Sequence, residues 1–299
     1  MTADRRALYF DEAEATGEGV HIFELGTATV ATLSWPTGWS SSSVRNELVY
    51  RMPSTPLMVF FGAMVLGMLG VIAHVLPLAL QPPIRHADPR YIGSLLALLA
   101  LLAAELLLSR SGALSKFEQT PASVGLLLVP LLLVNIGASC CTAAAGRLAR
   151  RLSLRALVGV HAARFGPELF LHQGHLEGAL PAQMTWPPEG RNVDVLVAAS
   201  ALVLALAPRL LACRPLVWCF ALAGAASLLN IGVTSVVSLS HPLRDVLAPT
   251  FEVGLEVATF PPYVLLPGFL LQAAVCGHCL LFRRLLMREG GGEKAGELV

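Results

Sequence analysis

Charge is what this sequence has least of. Only 14% of its 299 residues are Asp, Glu, Lys or Arg, where an ordinary soluble domain carries about 25%. Basic and acidic residues almost cancel, 21 against 20, leaving a net charge of +1. No basic excess exists to draw in nucleic acid, and nucleic-acid partners are set aside. Loop cysteines are missing as well. Cys140, Cys141, Cys213, Cys219, Cys276 and Cys279 all fall within or at the ends of apolar blocks, which excludes a disulfide-stapled scaffold and predicts free thiols. A cleavable signal peptide is not expected, because the first long apolar block follows some 56 mostly polar residues; the first hydrophobic helix would act as the insertion signal, with Met52 a conceivable alternative start.

What is present is apolar sequence, 55% of the chain, gathered into long blocks without strand or amphipathic-helix period. Such blocks cannot build a water-facing surface, so the expected solvent is lipid and the expected fold is an all-α polytopic transmembrane helical bundle. Six spans are predicted at about 57–80, 91–108, 123–146, 193–213, 216–239 and 260–282. Residues 1–56 read as a weakly ordered polar segment with one alternating stretch, Val20 to Trp35, suited to a short hairpin. Residues 57–285 form the helical domain and 286–299 a flexible tail.

A seventh stretch, about 156–178, has spanning length but contains Arg164, Glu168 and three histidines. Basic residues near span ends test whether it crosses, because cytoplasmic loops carry the excess. With six spans the two sides tie at nine each. With seven, the loops after the first, third and fifth spans join the C-terminus, and the count becomes eleven to six. Seven spans with a cytoplasmic C-terminus and an external N-terminus is therefore expected; six remain if 156–178 is reentrant or interfacial.

On a helical wheel at about 100° per residue, with Arg164 at zero, Glu168 falls near 40°, His172 near 80°, His175 near 20° and His161 near 60°. One stripe is polar and the rest apolar, so the stripe should face the bundle interior, or headgroups and water if the helix lies in the interface. Arg164 and Glu168, four apart, can pair. Pro167 kinks the helix unless the residues near 164 form its first turn. Glu168, His172 and His175 at i, i+4 and i+7 have a spacing permissive for a metal, which would need a further ligand from Glu105, His74 or His278.

Other polar positions admit two readings each. Glu105, near the end of a Leu/Ala helix, either reaches the interface or turns inward towards Arg164. Asn135, Asn230, Ser227, Thr234, Ser235 and Ser238 suit helix packing. The stretch 180–194 is too rich in Pro and Gly for a long helix and reads as a structured loop in which Glu189 and Arg191 pair and Asp194 caps the following span. A turn at His241–Asp245 follows the sixth span. Pro267-Gly268 should distort the last span, and Cys276-Gly-His-Cys279 has the form of a thiol redox pair, without the loop cysteines such membrane enzymes use.

From Arg164 through Asp194 the chain reads Arg-x-x-x-Glu, then Met184-Thr185 and, beyond Trp186-Pro187-Pro188, Glu189-Gly190-Arg191-Asn192-x-Asp194. This resembles an uncharacterised group of bacterial multi-spanning membrane proteins that read similarly to Met-Thr-Phe-Glu-Gly-Arg-Asn-Phe-Asp here. The likeness continues through Leu229-Asn-Ile, the Ser240-His-Pro turn, Phe260-Pro, Leu266-Pro and His278, roughly the C-terminal half. The present chain departs by its extra proline, and His172 and His175 fall outside the pattern. The resemblance implies a membrane fold and a shared polar set of Arg164, Glu168, Glu189, Asn192, Asp194, Asn230 and His278; it implies no substrate.

These readings lead to an expectation of a multi-pass protein of the inner (plasma) membrane whose buried Arg/Glu site binds or passes a small solute, ion or proton, with no cofactor. A membrane-embedded metal or thiol enzyme and a non-catalytic assembly factor are the alternatives.

Overall fold

In a computed structural model of the protein, the residues described are 20–23, 31–34, 52–80, 88–115, 123–239 and 255–287. The chain divides into two compact units, residues 1–48 and 49–299. In the first, β1 (Val20–Phe23) pairs antiparallel with β2 (Ala31–Ser34), Val20 opposite Ser34, the hairpin expected of that alternating stretch. The predicted turn at 241–245 and the tail beyond 287 lie outside the described residues.

The second unit is helical. Among the described residues, five helices are long and apolar enough to cross a membrane: α1 (Thr55–Ala79), α2 (Pro89–Arg110), α3 (Ser123–Cys141), α9 (Arg214–Val237) and the continuous stretch Leu266–Leu286. That last stretch comprises a π-helical turn at Leu266–Leu270 and then α10 (Leu271–Leu286). The distortion falls at Pro267-Gly268, as their lack of an N–H and of a side chain predicted. Large apolar side chains point outward along these helices, among them Leu66, Val134 and Leu229. In water such a surface would be an aggregation liability; in a bilayer it is the ordinary lipid-facing side.

Three predicted spans are corrected in detail. The third ends at Cys141 instead of 146, because the Thr142 hydroxyl accepts the N–H of Ala145 and starts a new helix, α4 (Ala143–Arg151). The stretch 156–178 is three helical pieces: α5 (Leu154–Gly159), a 3-10 turn (Val160–Arg164) and α6 (Phe165–Leu176). Pro167 falls in the first turn of α6, where a missing N–H costs nothing. The span expected at 193–213 is only α7 (Asp194–Leu206), 13 residues long, followed by the turn α8 (Pro208–Leu211). Steric conflict with Pro208 moves Ala207 out of the helical region, to φ −111 and ψ 88.

Contacts at helix ends gather the elements into two rims. At one rim, Arg147 Nε donates to Ala79 O (2.9 Å), Arg151 to Leu78 O (2.9 Å), Arg283 to Thr142 O (2.7 Å) and Arg214 to Leu285 O (2.7 Å). The ends of α1, α3 and α10 and the start of α9 therefore lie together. Gly146 makes room for this, since a Cβ there would sit 2.6 Å from the Arg283 guanidinium. At the other rim, the N–H and hydroxyl of Ser54, which heads α1, donate to Glu177 (2.7 and 2.8 Å), and the Ser109 hydroxyl near the end of α2 donates to Thr259 O (2.5 Å). The stretch 154–176 thus runs from the first rim to the second.

Two apolar clusters hold the unit. One centres on the stacked and tilted rings of Phe61, Phe170 and Tyr263, the other on Leu157, Val217 and Leu281. Burying a side chain of this size is worth about 1.5–3 kcal/mol where it leaves water. Within lipid, close packing replaces that drive.

Candidate functional site

Between Val158 and Phe170 the chain carries its polar stripe through the bundle interior. His161, Arg164 and Glu168 are 2, 6 and 3% exposed. The remaining two stripe residues part company from them: the His172 ring stacks on Trp186 (4.0 Å between centroids), and His175 Nδ1 lies 3.2 Å from Leu180 O. Both serve the 180–186 loop. Among the described residues no three His, Cys, Asp or Glu side chains gather as a metal group.

The expected Arg164–Glu168 pairing is replaced by a longer-range one. Arg164 forms an ion pair with Asp194, the first residue of α7, with both side chains buried. Asp194 in turn accepts the hydroxyl of Ser227 from α9. Glu168 turns to Asn192, whose Nδ2 donates to Oε1 (2.9 Å) and Oε2 (2.7 Å). The capping expectation is corrected for the same reason. Asp194 is committed to Arg164 and Ser227, and it is Asn192 Oδ1 that accepts the Asp194 N–H (3.0 Å). Sequence spacing could not choose between these pairings, because helix neighbours at i+4 are always in reach whereas Asp194 is brought in by the fold.

His278 of α10 completes the group. Its Nε2 lies 3.3 Å from Arg164 Nη1. A guanidinium can only donate, so Nε2 accepts and Nδ1 carries the hydrogen. The His161 ring stacks on it at 3.9 Å. Glycines form flat seats for both rings: a Cβ on Gly224 would lie 2.3 Å from His278 Cε1, and one on Gly277 would lie 3.0 Å from His161 Cε1. His161 belonged to the stripe but not to the shared polar set, and Ser227 was read only as a packing residue; each is found through its partner.

This convergence depends on the loop 180–193 entering the bundle. Gln183, Met184, Thr185 and Asn192 are buried, while Pro187, Pro188 and Glu189 are exposed. The Asn192 N–H donates to Thr185 O and the Gly190 N–H to Trp186 O, closing the loop on itself. Gly190 is required there, as a Cβ would lie 2.0 Å from Thr185 O. Asn230 stays out of the central group and donates to Arg191 O (2.8 Å), tethering the loop to α9. Glu189 likewise lies apart from the buried group.

The remaining candidates lie elsewhere. Glu105 does not reach the interface; it is 1% exposed and packs against Gly268, whose Cβ position lies 2.3 Å from its Oε2. Asn135 donates to Gln272 O (2.8 Å), joining α3 to α10. The Ser139 hydroxyl donates to Cys276 Sγ (3.3 Å), and all six cysteines are free.

Chemically, the centre joins one guanidinium, two carboxyl groups and two imidazoles, fixed by an amide and a hydroxyl. Arg164 neutralises Asp194. Glu168 has a neutral amide as its direct partner, so gain or loss of a proton there changes the net charge of the whole group.

No curated protein and no solved structure matches the chain. A family model does, over residues 121–286, more than half of the chain and all of the elements that build this centre. The chain belongs to the family described as Domain of unknown function (DUF8737).

Proposed function

We propose that the protein crosses the bilayer seven times and uses the Arg164–Asp194–Glu168–His278 centre to bind or pass a small solute, ion or proton. The seven-span reading is supported by the rims: 154–176 leaves one and reaches the other at Glu177, and α7 with α8 returns to Arg214. The stretch 154–176 would cover roughly 35 Å, sufficient for a hydrocarbon core of about 30 Å. α7 alone covers only about 20 Å, and the inward loop 180–193 makes up the rest. The charge count supports a cytoplasmic side for the arginine-rich rim and the C-terminus.

The observation that carries the functional reading is the ion pair of Arg164 with the first residue of a shortened helix. Non-helical backbone at membrane depth is tolerated where it is enclosed by protein, and interrupted helices whose ends meet charged groups are how secondary transporters build binding sites. Buried ionisable groups inside spans are expensive and serve paths or sites more often than packing.

The test uses full-length protein in phosphatidylethanolamine/phosphatidylglycerol vesicles with a trapped pH-sensitive dye and a potassium diffusion potential. Proton entry well above that of protein-free vesicles is expected, and its loss in Glu168→Gln with unfolding temperature retained. Flux equal in Glu168→Gln and the native protein removes Glu168 from the path, and flux no greater than in empty vesicles rejects proton passage.

A further inference from the structure

We propose that Glu105 is a second proton site, held as a neutral and exchangeable carboxylic acid inside the membrane and separate from the Arg164 centre. It stands on α2, a helix that contributes nothing to that centre, and the inference does not rest on the proposed path.

Three observations place it. Glu105 is 1% exposed, and neither carboxyl oxygen has a hydrogen-bond partner among the described residues. The residue sits within a span, a little over one turn from the end of α2. Its carboxyl group rests on Gly268, inside the π-helical turn Leu266–Leu270. Burying an unpaired carboxylate is far more costly than burying the neutral acid, and the usual result is protonation. Structural packing alone would be served by Leu or Gln at this position, and π-helical turns of this kind are frequent at functional sites.

Among the described residues nothing around Glu105 would hold the anion. Along the same face of α2, Ser109 is four residues on and spends its hydroxyl on Thr259 O; Ser115 lies 3.4 Å from Thr259 Oγ1. The facing segment 255–270 contributes two titratable groups, Glu256 and Tyr263, both buried. α1, which also packs against α2, carries only His74, which is exposed. No described basic side chain faces Glu105. Exchange is simple dissociation: the O–H bond breaks, its electron pair stays on the carboxylate, and the proton passes to water. Nothing is oxidised or reduced.

Isotope-edited infrared spectroscopy of the full-length protein in the same vesicles tests this at pH 7. A neutral carboxylic C=O band is expected that moves on 13C-glutamate labelling, moves again on transfer to D2O, disappears in Glu105→Gln and survives in Glu168→Gln. Glu105→Asp guards against a misfolded Gln variant: the band should persist there and no longer respond to 13C-glutamate. If the native protein and Glu105→Gln superimpose in this region, or Glu105 contributes a carboxylate stretch, the site is ionised and the proposal fails. A band that D2O never shifts means a sealed acid and rejects exchange.

Discussion

Asn192 gives its amide to both oxygens of Glu168 and takes the N–H of Asp194 on its own carbonyl oxygen. One neutral side chain therefore links the two carboxyl groups of the centre. Removing it leaves Glu168 without the amide that donates to both its oxygens and the Asp194 N–H, the first of α7, without its acceptor. Asn192→Ala is expected to cost about 1–3 kcal/mol for the unsatisfied group, measured by chemical unfolding in detergent. In a Glu168→Leu background the cost should shrink, with a coupling of about 0.5–3 kcal/mol. Strictly additive costs would show that the two side chains do not communicate.

A pH effect is expected at the second rim, at Glu177 in the turn beyond α6. Partial burial pushes its carboxyl up, but bonds from the Ser54 amide and hydroxyl and from Gln173 outweigh this and hold it below its ordinary value. A lowered carboxyl stabilises the junction above its unfolded value, about 4.3, and that contribution is lost as pH falls through the lowered value. Hydrogen exchange of the segment beginning at Ser54 should therefore be protected at neutral pH and released in acid. Glu177→Gln should expose it at both. Equal protection of the two proteins at neutral pH would remove Glu177 from the junction.

Topology can be read with reporters fused to each terminus. Seven crossings put the termini on opposite sides, with the C-terminus in the cytoplasm; an alkaline phosphatase and a fluorescent protein fusion at each end distinguish them. Both termini on one side would leave 154–176 as a non-crossing segment.

Five of the spans were legible because their apolar runs are long, and a wheel places five polar residues on one stripe, of which His161, Arg164 and Glu168 meet in the interior while His172 and His175 turn to the loop. The pairings were not. Arg164 has a partner four residues away in sequence and takes one thirty residues away, since the loop 180–193 folds inward and delivers Asp194 from above. The shortness of α7 was hidden for a related reason: beyond Asp194 the stretch to 213 is apolar except for Ser200 and Arg209, and only Pro208 betrays where the helix stops. Glu105 admitted two readings, reaching the interface or turning inward towards Arg164, because sequence gives depth along a helix but not the neighbour it faces.

The arginine rim has a mechanical consequence. Arg147, Arg151, Arg214 and Arg283 each spend a guanidinium on carbonyls at helix ends, so α1, α3, α9 and α10 are pegged to one another at that edge. The opposite edge is joined differently, by the carboxylate of Glu177 on Ser54, by the Ser109 hydroxyl on Thr259 O, and by Gln183 and Asn230, which tie the loop to Ser238 and α9. The two edges are thus fastened by different chemistry, guanidinium on carbonyl at one and carboxylate, amide and hydroxyl at the other, so only the second can be loosened by acid.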